Sequence, residues 1–391
     1  MIQEKTTLIL GAGASCHYGF PTGEGLIKQV CTEAGNLINL YEQNQHQRHT
    51  SILQSSEQLF QLVSDVFHGY TEDQKKRRKV VPQHHENEIF RKDAEDLKEK
   101  LFYFSFKIKQ LDPLNIDTFL RDNPSLQDVG TFLIAFVLLK CEVLCKAVPE
   151  NDYNKDKNKE SNNWYRFLIH VLAACDNSEE LKKVFLDEQK LSIITFNYDV
   201  SLEYHLYNSL KQIEKFQGDA RDFMKEFSEN CIFHVYGALH TIDWDAPDPF
   251  ADFGSPFIND DDFLKKAEIA IKCSQNIKTI YKDKDNKCPK YTEKKKKFIE
   301  AIDQSKRLVI LGYGFDDANT KHLSEISEND SRGLAKALSL LGKQRIFMTN
   351  YGDSKRIQNK ITKINPAKID PLIFISTKKV YNALMHDFDL V

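Results

Sequence analysis

The chain has 391 residues, 41% of them hydrophobic and 28% charged, and a formal net charge of −3. That length holds two ordinary domains or one enlarged one, and that balance excludes a disordered chain, a membrane-embedded one and a whole-protein electrostatic drive toward nucleic acid or anionic lipid. Eight cysteines are scattered without a C-x-x-C pair, which excludes the usual zinc-ribbon and thioredoxin spacings and fits free thiols in a reducing compartment.

The first apolar run, Thr6–Leu10, has strand length, and its Leu8–Leu10 stretch is far too short for a signal peptide or a membrane span, so the cytoplasm is the expected compartment. It delivers the chain into Gly11-Ala12-Gly13-Ala14-Ser15, and Pro21 follows shortly after. A glycine at a strand end permits a tight turn, and a second lets backbone N–H groups approach a pyrophosphate. The full G-x-G-x-x-G fingerprint is missing because Cys16 and Gly19 break it, so a merely structural turn stays open.

About 180 residues then separate the first strand from the second, where a simple crossover needs a dozen or more. Apolar residues at three- and four-residue steps predict helices over Glu24–Gln45, Ile52–Val66, Ile89–Gln110, Leu126–Val148 and Trp164–Ala174, so residues 24–189 are expected to form an inserted helical subdomain. Polar stretches at Lys75–Lys79, Asn151–Asn163 and Lys282–Lys297 are candidate surface loops. The first and third are basic, and a solvated face is a simpler account of them than a phosphate-binding patch.

The second strand, Leu191–Phe196, emits Asn197 and Asp199 at its carboxyl end, where ligands of open α/β sheets bind. Asp199 could equally cap a following helix, Val200–Leu210. The third, Cys231–Tyr236, ends near Gly237 and places His234 and Tyr236 on one side by strand alternation. His234 is either a base near pH 7 or a hydrogen-bonded core residue. The fourth, Arg307–Leu311, repeats the logic of the first turn with Gly312-Tyr313-Gly314-Phe315 and Asn319. Strands at Arg345–Thr349 and Leu372–Ile375 follow, with helices expected over Asn319–Leu341 and Ser354–Thr362. Six strands alternating with helices predict an α/β, doubly wound, mainly parallel sheet.

Taken in order, the glycine turn, the strand-end Asn-x-Asp, the strand-end His/Gly and the late Gly-x-Gly resemble the sirtuin-like family, specifically its bacterial antiphage-defence branch. The likeness covers residues 5–23 and about 190–350. It implies a Rossmann-like NAD-binding domain made of residues 1–23 and 190–391. Cofactor contacts are then expected from Gly11, Ala12, Gly13, Ser15, Pro21, Thr195, Asp199, Tyr236, Gly237, Gly312, Gly314, Phe315 and Asn319. In sirtuins the Asn of T-x-N-x-D lies near the nicotinamide ribose, a part that falls to Asn197, and a His preceding Gly is the base. Here Tyr236 stands before Gly237, so His234 is the substitute base. Asn115-Ile116-Asp117-Thr118-Phe119-Leu120 resembles the branch's I-D-x-F-L element and adds Asp117 as a third catalytic candidate.

Sirtuin deacylases carry a small zinc module with paired cysteines, so the resemblance implies NAD(+) hydrolysis, with NAD as substrate and no metal. It further implies NAD depletion in antiphage defence, a homo-oligomer and a HerA-type ring ATPase as partner, with neither a membrane nor direct nucleic-acid binding. The alternative is a non-catalytic subunit that binds NAD or ADP-ribose within an ATPase or nucleic-acid-processing complex.

Overall fold

The computed structural model describes residues 2–46, 83–113, 115–147, 163–254, 263–278, 289–315, 317–326, 331–338, 345–349 and 373–388. The expected helices Ile52–Val66 and Ser354–Thr362, the basic run Lys75–Lys79 and most of the polar stretch Asn151–Asn163 lie outside them.

The sheet is built from β1 (Thr6–Leu10), β2 (Leu191–Thr195), β3 (Ile232–His234), β4 (Arg307–Leu311), β7 (Arg345–Thr349) and β8 (Ile373–Ser376) in the order β3-β2-β1-β4-β7-β8. Every neighbouring pair is parallel. All five residues of β1 and of β2 are buried, as strands covered on both faces must be, and this explains their nearly unbroken apolar character. The fold is Rossmann-like α/β, and the strand order reverses between β1 and β4, which is where such sheets open a crevice at their carboxyl ends.

The connection from β1 to β2 is largely helical: α1 (Gly23–His46), α2 (Gln83–Leu111), α3 (Ile116–Asp122), α4 (Gln127–Ala147), α5 (Tyr165–Ala173) and α6 (Ser178–Lys182). Residues Phe132 to Leu139 of α4 are all buried, so this helix is enclosed rather than amphipathic. It packs against α1 on one side and against α9 on another. After β2 the chain forms α7 (Ser201–Gln212) and α8 (Ala220–Asn230), and between β3 and β4 it forms α9 (Phe263–Ser274) and α10 (Pro289–Gln304). The third basic run, expected as a surface loop, is helical from Pro289 onward. Asn163, expected at the end of a polar loop, is 4% exposed and accepts the Tyr18 hydroxyl at 2.8 Å.

One expected element is broken. Instead of a single helix over Asn319–Leu341, α11 (Asp317–His322) gives way to an antiparallel hairpin of β5 (Ser324–Ile326) and β6 (Ser331–Gly333), then to α12 (Leu334–Leu338). Gly333 takes φ +71°, and a Cβ there would lie 2.2 Å from the Leu323 carbonyl oxygen. The Ser324 hydroxyl donates to the Thr320 carbonyl and accepts the Ala335 amide, so a serine side chain replaces helical bonds at this point.

Candidate functional site

Register brings three sequence-distant motifs to one level. Leu10 pairs with Thr195 on one side and with Leu311 on the other, so Gly11, Phe196 and Gly312 leave the sheet together. The Phe196 amide donates to the Leu10 carbonyl, and the Gly11 amide to the Leu311 carbonyl, both at 2.9 Å.

The glycines are required by close backbone packing. A Cβ on Gly11 would lie 2.5 Å from the Gly312 oxygen and one on Gly13 2.9 Å from the Gly312 Cα. Gly312 itself sits at φ +59°, where a Cβ would come within 2.2 Å of the Ala14 nitrogen. Two loops therefore cross in backbone contact, which only glycine permits. The Gly11, Gly13, Ala14 and Ser15 amides all donate to backbone carbonyls inside the protein, so the turn is not an open nest of four donors. Trp164 reaches in from just before α5 and donates its indole N–H to the Ala14 carbonyl at 2.8 Å.

Ser15 and Asn197 meet directly, since the Asn197 Nδ2 donates to the Ser15 Oγ at 2.8 Å. Ser15 also lies near the buried Asp199 carboxyl and favours its charged form. The Asn197 amide N–H bonds the Thr195 Oγ1 at 3.0 Å, and its carbonyl accepts from His234. Among the described residues the Asn197 Oδ1 is left without a hydrogen-bond partner on this half-buried side chain.

Asp199 lies deeper. Its Oδ1 accepts the Ser201 amide at 3.2 Å and the Ser201 hydroxyl, so it also holds the start of α7. Burial pushes its carboxyl above the usual range, against the donors Ser201 and Ser15 and the nearby His234. Behind it, the Tyr165 hydroxyl bonds Ser201 at 2.7 Å, and the Tyr165 ring stacks on Tyr18 at 3.9 Å.

His234 and Tyr236 part company. The Nδ1 of His234 is 2.9 Å from the Asn197 carbonyl and its Nε2 is 2.7 Å from Glu203 Oε1 on α7. Burial opposes the charge on this imidazole, but Glu203 and the Asn197 carbonyl outweigh it and hold its pKa above the usual value. With both nitrogens committed, the geometry favours a positioning part for His234 over that of a base. Tyr236 turns toward α11 (Asp317–His322), where its hydroxyl donates to Asn319 Oδ1.

Phe196 stacks on Tyr313 with ring centroids 5.1 Å apart, and it also touches Tyr236. Strands β2 and β4 are separated by β1, so this pair spans the end of β1 above the crossed glycine loops. Phe315 packs edge-on against Tyr313 and is buried at φ +50°, a conformation non-glycine residues seldom adopt. Gly314 is exposed with open space around it, Gly237 sits against the Asn276 carbonyl, and Pro21 is half-buried beside Gly25.

Asp117 also arrives at the Asn-x-Asp motif. Asn115 caps α3 through the Asp117 amide at 2.7 Å, and the Asp117 carboxylate accepts the Tyr198 hydroxyl at 2.8 Å. Sequence reasoning missed Glu203, Ser201, Trp164 and Tyr165. Only the acidic first turn of α7 gave a signal, since Glu203 lies four residues beyond Asp199. Among the described residues no group of three or more His, Cys, Asp or Glu side chains could hold a metal ion, and no helix is long and apolar enough to cross a membrane.

Residues 191–361 are similar to the SIR2-like domain. The match begins at β2 and contains Asn197, Asp199, His234 and the second glycine turn, and it supports a sirtuin-like relationship with involvement of NAD. The first glycine turn precedes the matched segment, yet β1 lies between two of its strands. No match to the chain was found among curated proteins or among solved structures.

Proposed function

We propose that this chain is an NAD(+) hydrolase that cleaves the bond between nicotinamide and the ribose C1′, releasing nicotinamide and ADP-ribose. The observation that carries the reading is Asn197, whose N–H, carbonyl and Nδ2 are all committed while its Oδ1 remains to accept a hydrogen bond, beside the point where the strand order reverses.

Departure of nicotinamide takes the bonding pair with it and leaves oxocarbenium character on the ribose. An acceptor fixed in advance beside C1′ can hold a ribose hydroxyl or orient water without reorganising during the step. The water oxygen then bonds to C1′ and its proton is released. Such a cation needs an oriented nucleophile more than a strong base, so the reaction tolerates a committed His234. Asp117, tied to Tyr198, is read as the proton acceptor.

In this reading the enzyme is the effector of an antiphage defence system that depletes NAD, working as an oligomer with a HerA-type ring ATPase. Incubating the full chain with NAD(+), alone and with such an ATPase, should release nicotinamide. Asn197→Ala should lower that release by about 100-fold or more, the usual cost of removing a preorganised polar contact from a transition state.

A second reading, a non-catalytic subunit that binds NAD or ADP-ribose, is favoured by Tyr236 standing before Gly237 and by the doubly bonded His234. Binding of NAD without nicotinamide release by any assembly would establish it in place of the first.

A further inference from the structure

We propose that Glu203 and His234 form a charged strut that sets the peptide of Asn197, which makes them positioning residues for the cleavage proposed above and rests on that reading. The first support is proton direction. A carbonyl oxygen can only accept, so Nδ1 of His234, 2.9 Å from the Asn197 oxygen, carries a proton. Nε2 faces Glu203 Oε1 at 2.7 Å, and against a carboxylate it can only donate, so the ring is an imidazolium with both N–H bonds aimed by fixed partners.

The second support is that stability alone does not account for the pair. His234 is 8% exposed and Glu203 3%, and a buried ion pair is commonly no better for stability than apolar residues of the same size. Glu203 is moreover incompletely satisfied, because its buried Oε2 has no hydrogen-bond partner among the described residues. A buried acceptor kept in that state calls for a reason other than stability. Strand pairing does not need the strut either, since β2 and β3 are already joined through Thr195 and His234 and through the Val235 amide on the Thr195 carbonyl.

The third support is where the strut ends. Asn197 lies just beyond Phe196 after the end of β2 at Thr195, in the loop before α7. Ser15 fixes its side-chain amide and His234 fixes its main chain, so the two together define where Oδ1 points. Glu203 is thus placed to act on Asn197 only through His234. Lys294 of α10 and Asp199 are the other charged groups felt by this imidazole.

The test uses the full chain and two readouts. In wild-type protein labelled with ¹⁵N-histidine, with the His234 signals assigned through bonds from its backbone, both ring nitrogens should be protonated at pH 7.5. In Glu203→Gln, which keeps the shape and removes the charge, nicotinamide release should show kcat reduced by about 10- to 100-fold, the scale of a small misplacement of a reacting group. Equilibrium binding of NAD(+) should stay within about threefold, since uniform binding is not what is lost. His234→Gln, which retains a donor for the Asn197 carbonyl, should fall between wild type and Glu203→Gln. A neutral His234 in the wild-type protein, or wild-type kcat in folded Glu203→Gln, overturns the strut. Absence of nicotinamide release from wild-type protein in every assembly overturns the hydrolase reading instead, and the wild-type nitrogen signals then decide the strut's protonation on their own.

Discussion

Two histidine–glutamate pairs, whose histidines lie six residues apart at His234 and His240, are built to different standards. In the first, Glu203 meets His234 through one oxygen, and among the described residues its other oxygen has no hydrogen-bond partner. In the second, Glu142 of α4 meets the His240 Nε2 with both oxygens, at 2.9 and 3.0 Å, and also accepts the Gly254 amide at 3.1 Å. The satisfied pair joins the enclosed helix of the long insertion to the loop after β3, whereas the unsatisfied pair reaches a site residue. A complete set of bonds marks a clamp, and an incomplete one marks a place where the protein tolerates a cost for another purpose.

Breaking the clamp should have the largest effect. Glu142→Ala leaves a buried imidazolium and an unpaired amide, and should lower unfolding stability by about 3–5 kcal/mol, measured by denaturant titration. Asn197→Ala should separate the two pairs, abolishing nicotinamide release with little change in the same titration. If instead it unfolds the chain as Glu142→Ala does, the contrast between a site and a clamp disappears. Ser15→Ala is a finer probe, because without the serine the Asn197 amide is free to flip, and kcat should drop by about tenfold while His234 still holds the main chain.

The clamp should also carry a pH signature. Burial opposes the charge on His240, yet its bonds to Cys273 and Glu142 hold the pKa up at about 10. Because the folded value lies above the unfolded one, this stabilisation is complete below about pH 6.5 and is lost as pH rises toward about 10. Melting temperatures between pH 6.5 and 9.5 should therefore fall in the wild type more steeply than in Glu142→Gln, and parallel slopes would remove the clamp's titration from the account. The smallest effect is expected from Trp164→Phe, which deletes the bond to the Ala14 carbonyl and should cost about 0.5–1.5 kcal/mol.

The sheet was legible in the sequence because its central strands are buried on both faces and read as short apolar runs. The meeting of Ser15 with Asn197 followed from two strand ends that register makes neighbours. Other features depend on contacts that no local pattern encodes. The partner that commits His234 sits 31 residues earlier on α7, and the reason for Gly11 and Gly13 is Gly312, some 300 residues away. The hairpin after α11 was hidden because Leu323, Leu334 and Leu338 keep apolar spacing compatible with a helix while Ser324 and Gly333 redirect the backbone.

The central place of β1 has a consequence for synthesis. Its two partners begin at Leu191 and Arg307, so this strand is made well before either neighbour it pairs with. At roughly 5–20 residues per second, the second partner appears on the order of 15–60 s after the first strand. Through that interval Thr6–Leu10 is an apolar segment without its final neighbours, and the helices translated next are what can shelter it. The insertion is then also the chain's own early cover for its most exposed strand, and shortening it should show first as loss of soluble yield.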